Sequence, residues 1–167
     1  MCGIAGAVAL EAGARPDRDR VERISRLIAH RGPDGDGLWV APSGRAVLAH
    51  RRLSVIDIAT GAQPMVGEQD RLGLVFNGEI YNYRELRARL EAQGWTFTSH
   101  SDTEVLLALY DAMGERMLGE LRGMFAIALW DGARRRMLLA RDPYGIKPLY
   151  YADDGNTLRV ASQVKAL

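Results

Sequence analysis

Short apolar runs bounded by turn residues recur along this chain at hairpin-like intervals, and that spacing restricts its fold more than any other feature. Residues 2–10, rich in Val, Ile, Ala and Gly, suit a buried central strand lying close against another layer. Further brief runs fall at 38–41, 45–50, 72–76, 124–130, 136–140, 148–151 and 158–161. Neighbours joined by short loops pair antiparallel, because a parallel pair needs a crossover of a dozen residues or more. Asp131-Gly132-Ala133 marks one such hairpin.

Helical spacing interrupts the strands three times. Val21, Ile24, Leu27 and Ile28 recur between charged neighbours and stop at Arg31-Gly32-Pro33-Asp34-Gly35. Asn82 with Glu85 predicts a capped helix start, with Leu86 and Leu90 on one face and Gly94 as the stop. Ser101-Asp102-Thr103-Glu104 predicts the same before Val105, Leu106, Leu109 and Tyr110. Roughly eight strands and three helices without strict alternation give an α+β fold, antiparallel sheet layers carrying helices.

A chain of 167 residues buries enough surface as one domain to need no disulfide or metal staple. Its one cysteine has no internal partner, and His30, His50 and His100 lack paired ligand spacing, so no structural zinc is expected. A net charge of +1 argues against a nucleic-acid partner. No apolar run approaches the ~20 residues that span a bilayer, and the first ten residues lack the flanks of a secretion signal, so a cytoplasmic chain without a membrane partner is expected. A G-x-x-x-x-G-K-[ST] phosphate loop is missing, which argues against ATP binding by this chain. Arg134-Arg135-Arg136 reads as a solvated hairpin edge. Of 22 basic residues only Lys147 and Lys165 are lysines, a bias with no functional content of its own.

The second residue carries the most chemistry. A small side chain at position 2 allows removal of the initiator Met, after which Cys2 presents a thiol and a free α-amine together. That amine, with an ordinary pKa of about 7.7–8.0, can accept the thiol proton near neutral pH. Taken alone, Cys2 reads first as a small buried hydrophobe, since most cysteines near chain starts do no chemistry. Asn77-Gly78 reads either as a hairpin turn or as a pair of oxyanion donors, an amide side chain beside a glycine N–H. Arg52 and Asp102 read as ordinary structural charges, or together as the partners of one amino-acid zwitterion, guanidinium to α-carboxylate and carboxylate to α-ammonium.

In order along nearly the whole chain, these pieces resemble the N-terminal glutaminase domain of the asparagine synthetase B family, a class II glutamine amidotransferase. The resemblance rests on Met1-Cys2-Gly3-Ile4-Ala5-Gly6, His30-Arg31-Gly32-Pro33-Asp34-Gly35, His50-Arg51-Arg52-Leu53-Ser54 and Phe76-Asn77-Gly78-Glu79-Ile80-Tyr81-Asn82. Ser101-Asp102-Thr103-Glu104 and Arg141-Asp142-Pro143-Tyr144-Gly145-Ile146-Lys147-Pro148 complete it. It implies the N-terminal nucleophile hydrolase fold, a four-layer αββα sandwich of two antiparallel sheets. It further implies Cys2 as nucleophile toward the glutamine side-chain amide, and Asn77 and Gly78 as oxyanion hole. Arg52 and Asp102 would hold the substrate's carboxylate and ammonium, and Leu53, Val55, Ile56 and Glu79 would line its pocket.

Full-length members of that family carry a C-terminal synthetase domain with an S-G-G-x-D-S loop that uses ATP and Mg²⁺ to activate aspartate. No such loop occurs here. Residues 1–167 are therefore expected to form the amidotransferase domain alone, cut short at its C-terminal edge, with no cofactor or metal of its own. Its expected partners are glutamine and a synthetase domain or separate synthetase chain, and a homodimer is an open expectation. Gln163 stands where the family usually has Glu. Two other readings stay open: the glutaminase half of a relative that amidates a different carboxylate, as in peptide or antibiotic biosynthesis, and a non-catalytic scaffold.

Overall fold

Two antiparallel sheets stack face to face, with helices covering both outer surfaces. The structure, a computed structural model, describes residues 1–54, 57, 60–67 and 70–167. The first sheet runs in the order β2 (Gly35–Val40), β3 (Ala46–Arg52), β1 (Gly3–Ala9), β9 (Thr157–Ala161), β8 (Tyr150–Asp153). The second runs β4 (Met65–Val66), β5 (Leu72–Ile80), β6 (Gly123–Asp131), β7 (Arg136–Arg141). The helices are α1 (Arg18–Leu27), α2 (Tyr83–Glu91) and α3 (Asp102–Met113).

Side chains two apart on a strand share a face, and this repeat sorts the core into three interfaces. Ala5, Ala7, Val47 and Ala49 pack outward under Val21 and Ile24 of α1 and Ile28 just past its end. Ile4, Val8 and Leu48 of the first sheet meet Val75, Ala126, Ala128 and Trp130 of the second. Leu72, Leu74, Phe76, Ile127 and Leu129 pack outward under Leu86 and Leu90 of α2 and Val105, Leu106 and Leu109 of α3. The layering is α–β–β–α, as expected, and β1 is the central strand of its sheet.

Several local expectations give way to tertiary structure. Nine strands, not eight, occur among the described residues, the addition being the two-residue β4 on the edge of β5. Asn77-Gly78 forms no turn: β5 continues through it to Ile80, paired residue by residue with β6. Gly78 is required there by close approach, since a Cβ would lie 2.2 Å from the Met124 carbonyl oxygen. Asn82 does not cap α2 with its side chain, which instead receives the Arg122 N–H and donates to the Glu120 carbonyl. Ser101 does cap α3 by accepting from the Thr103 N–H, but Glu104 turns to the amides of Thr98 and Ser99 instead of closing a capping box. Gly94 ends α2 as expected, at φ +95°, where Trp95 N–H reaches the Leu90 carbonyl.

Candidate active site

Strand alternation delivers the candidate residues to one place. Cys2 precedes β1 in phase with Ile4, Arg52 ends β3 in phase with Leu48, and Asn77 lies on β5 in phase with Val75, all toward the space between the sheets. Gly3 pairs with Arg51, so Cys2 and Arg52 lie on neighbouring strand ends. There a cavity of about 220 Å³ is lined by Cys2, Arg52, Leu53, Asn77, Gly78, Glu79 and Asp102. These are seven of the nine residues expected from the sequence; Val55 and Ile56 lie outside the described residues. A larger groove of about 790 Å³, between α3 and the Trp95–Phe97 segment, contains none of them.

Cys2 is half-buried. Its Sγ receives the Leu53 N–H at 3.3 Å and lies 3.5 Å from the Leu53 carbonyl, while Arg31 Nε donates to the Cys2 carbonyl at 3.0 Å. Arg52 Nη2 donates to the Asp57 carbonyl at 2.5 Å. Asn77 is 2% exposed and its Nδ2 is buried without a hydrogen-bond partner among the described residues, an orphan donor of the kind that native interiors rarely tolerate without a ligand or water.

The peptide before Asn77 is held by two side chains. From the facing sheet, His50 Nε2 lies 3.2 Å from the Phe76 carbonyl as donor, and burial lowers the His50 pKa to about 4, so the ring is neutral at physiological pH. From the edge of its own sheet, Gln63 Oε1 accepts the Phe76 N–H at 2.7 Å, and Gln63 Nε2 donates to Thr103 Oγ1 at 3.3 Å. Gln63 thus links the strand that carries Asn77 to the first turn of α3, which carries Asp102.

Asp102 is 5% exposed and accepts the Ile80 N–H at 3.1 Å. Among the described residues no cation lies within ion-pair reach of it. Burial pushes its pKa up to about 6, against the pull of the Ile80 and Thr103 amides, and the charge of Glu79 adds to the rise. A buried acid in that condition is set to receive a cationic group. His50, Gln63, Thr103, Met124 and Lys147 drew no site role from the sequence, and all but His50 line the cavity. Their types are common, and only the fold brings them here. Among the described residues no three His, Cys, Asp or Glu side chains are grouped to hold a metal ion, and no helix is long and apolar enough to cross a membrane.

Comparison with known proteins identifies the family and the fold. The family model for the glutamine amidotransferase domain matches residues 1–167. Asparagine synthetase [glutamine-hydrolyzing] 1 of Bacillus subtilis is 43% identical over 169 residues, which takes in 100% of this chain and 26% of that protein. Asparagine synthetase B [glutamine-hydrolyzing] of Escherichia coli is 44% identical, covering 100% of this chain and 30% of its own length. The chain thus spans under a third of these curated relatives. Among solved structures, the glutamine phosphoribosylpyrophosphate amidotransferase of B. subtilis superposes with a TM-score of 0.81 at 25% identity, over 99% of this chain and 42% of that one.

Proposed function

This chain belongs to the glutamine amidotransferase domain family, and from that premise we propose that it hydrolyses glutamine to glutamate and ammonia through a thioester on Cys2. The observation that carries the reading is one small cavity lined by a thiol and, among the described residues, a buried amide donor with no partner and a buried carboxylate with no cation.

Removal of Met1, whose residue is 55% exposed, frees the Cys2 α-amine. That amine takes the thiol proton as Sγ attacks the side-chain carbonyl carbon of glutamine. The carbonyl oxygen becomes an oxyanion facing Asn77 Nδ2 and the Gly78 N–H, donors aimed at charge that develops only in the transition state. On collapse the C–N bond breaks, the α-ammonium returns its proton to the departing nitrogen, and ammonia leaves. Water then attacks the thioester carbon, giving one proton to the α-amine. The C–S bond breaks, the sulfur recovers that proton, and glutamate is released. Arg52 and Asp102 hold the substrate's α-carboxylate and α-ammonium throughout, with Leu53 and Glu79 beside it.

In the intact protein the ammonia would serve ATP-dependent amidation of aspartate by a synthetase portion beyond residues 1–167. That role fits the naming of the relatives and a cytoplasmic setting. ATP and Mg²⁺ would belong to that portion.

The test joins mass spectrometry to a glutaminase assay. The mature protein is expected to lack Met1 and to take up a single equivalent of 6-diazo-5-oxo-norleucine, and Cys2→Ala is expected to abolish both the adduct and ammonia release. Retained Met1, or ammonia release that survives Cys2→Ala, would overturn the reading.

A further inference from the structure

Lys147 brings to the cavity a positive charge that none of the steps above uses. The residue is 7% exposed and lines the same space as Cys2, Asn77 and Asp102. Among the described residues no carboxylate lies within ion-pair reach of its ammonium. Its Nζ instead contacts Met1 Sδ at 3.5 Å, an atom of the residue bonded directly to Cys2 and lost when Met1 is removed. The acid nearest in sequence, Asp142, is occupied elsewhere: it accepts the N–H groups of Phe125, Tyr144, Ile146 and Lys147 itself. That carboxylate fixes the backbone of the loop and leaves the ammonium to the cavity.

An ammonium buried without an acid is costly, and its field acts most strongly on groups sharing the same desolvated space. Resting on the function proposed above, we propose that Lys147 is a positioning residue whose charge holds the mature Cys2 α-amine in the neutral form that accepts the thiol proton. Two neighbouring cationic amines disfavour each other, and the weaker base gives up its proton first. An α-amine ordinarily titrates near 7.7–8.0 and a lysine above 10, so the α-amine is the group that yields.

Other charges bear on the same amine. Arg31, hydrogen-bonded to the Cys2 carbonyl, and Arg52, on the adjoining strand end, act in the same direction as Lys147. Glu79 and Asp102, on the opposite wall, act against it. Both arginines have bonding duties to backbone carbonyls. Lys147 has none among the described residues, and it makes the contact with the residue that leaves.

The experiment uses the intact protein, with loss of Met1 verified by mass, and records kcat/KM for glutamine against pH. In Lys147→Met the acidic limb that reports α-amine deprotonation is expected to move up by ~1 pH unit, and in Lys147→Arg to return to the wild-type position. That limb is read above the separate Asp102 step near 6. A Lys147→Met limb that stays in place overturns the inference, whether activity falls evenly at all pH, as for a structural role, or KM alone rises, as for a substrate contact. Should Lys147→Met fail to fold, the α-amine of the wild-type protein is titrated by ¹⁵N NMR of Cys2. A value below the ordinary ~7.7–8.0 range supports the inference, and one within or above it overturns it. Ammonia release that survives Cys2→Ala sinks the functional reading itself, whereas Cys2-dependent release with an unmoved limb sinks this inference alone.

Discussion

Asp102 and Asp142 are acids of nearly equal burial, 5% and 3% exposed, yet their surroundings drive them in opposite directions. At Asp142 burial pushes the pKa up, but the amides of Lys147, Ile146, Phe125 and Tyr144 outweigh it and hold the carboxyl below its ordinary value. At Asp102 desolvation outweighs the amides of Ile80 and Thr103, the charge of Glu79 adds to it, and the pKa rises to about 6. The saturated acid is scaffolding, tying a loop to β6. The unsaturated one, beside the orphan Asn77 amide, is a surface prepared for something the chain does not itself supply. Equal surface exposure does not decide the charge of an acid; desolvation, the donors that oppose it and the neighbouring Glu79 charge do so together.

Three measurements break or sharpen that contrast. The largest effect is expected from Asn77→Ala. Its buried Nδ2 has no partner among the described residues, so kcat for glutamine should fall ~10²–10³-fold with KM and Tm nearly unchanged. A loss carried by KM would contradict a transition-state donor. Next, Asp142→Ala strips the acceptor from four amides and should lower unfolding free energy by about 3 kcal/mol, read from urea midpoints. A loss below about 1 kcal/mol would mean the saturated acid is not scaffolding.

The smallest effect is expected from Asp102→Asn, about 10–100-fold in KM. Its stability should move the other way. The folded-state pKa lies above the ordinary 3.8, so the charged form is penalised in the fold at every pH above about 6, and the penalty disappears as pH falls below the ordinary value. A neutral amide removes that penalty, so Tm at about pH 8 should match or exceed wild type. In the wild-type protein KM should climb as pH falls through about 6, where Asp102 takes a proton and loses its hold on an ammonium group. In Asp102→Asn the same interval should be flat.

Much of the fold was legible because strand spacing and alternation are local properties of the chain. Closely spaced apolar runs gave the antiparallel sheets, and Val21, Ile24 and Ile28 gave the sheet-facing side of α1 and its end. What failed was chemistry decided at a distance. Asn77-Gly78 carries the strongest two-residue turn signal, yet pairing with Phe125 and Ala126 keeps it extended. Asn82 has a capping side chain, yet the chain end of the Gly114–Glu120 turn claims it. In the site, Cys2, Asn77, Arg52 and Asp102 stood out because their residue types suit the chemistry of a bound amino acid and their order matches a known family. Gln63 and Lys147 drew no role by residue type, although Lys147 sits in a stretch that carries the resemblance: a glutamine and a lysine look solvated until the fold encloses them.

The grip on the Phe76 peptide has a last consequence. His50 holds its carbonyl across the gap between the sheets and Gln63 holds its amide from the edge, so the direction of the neighbouring Asn77 is a property of packed layers and not of one strand. An expanded interior with its ladders intact would look folded in far-ultraviolet circular dichroism and already be silent. In this molecule competence is the first casualty of loosening, ahead of any change in secondary structure.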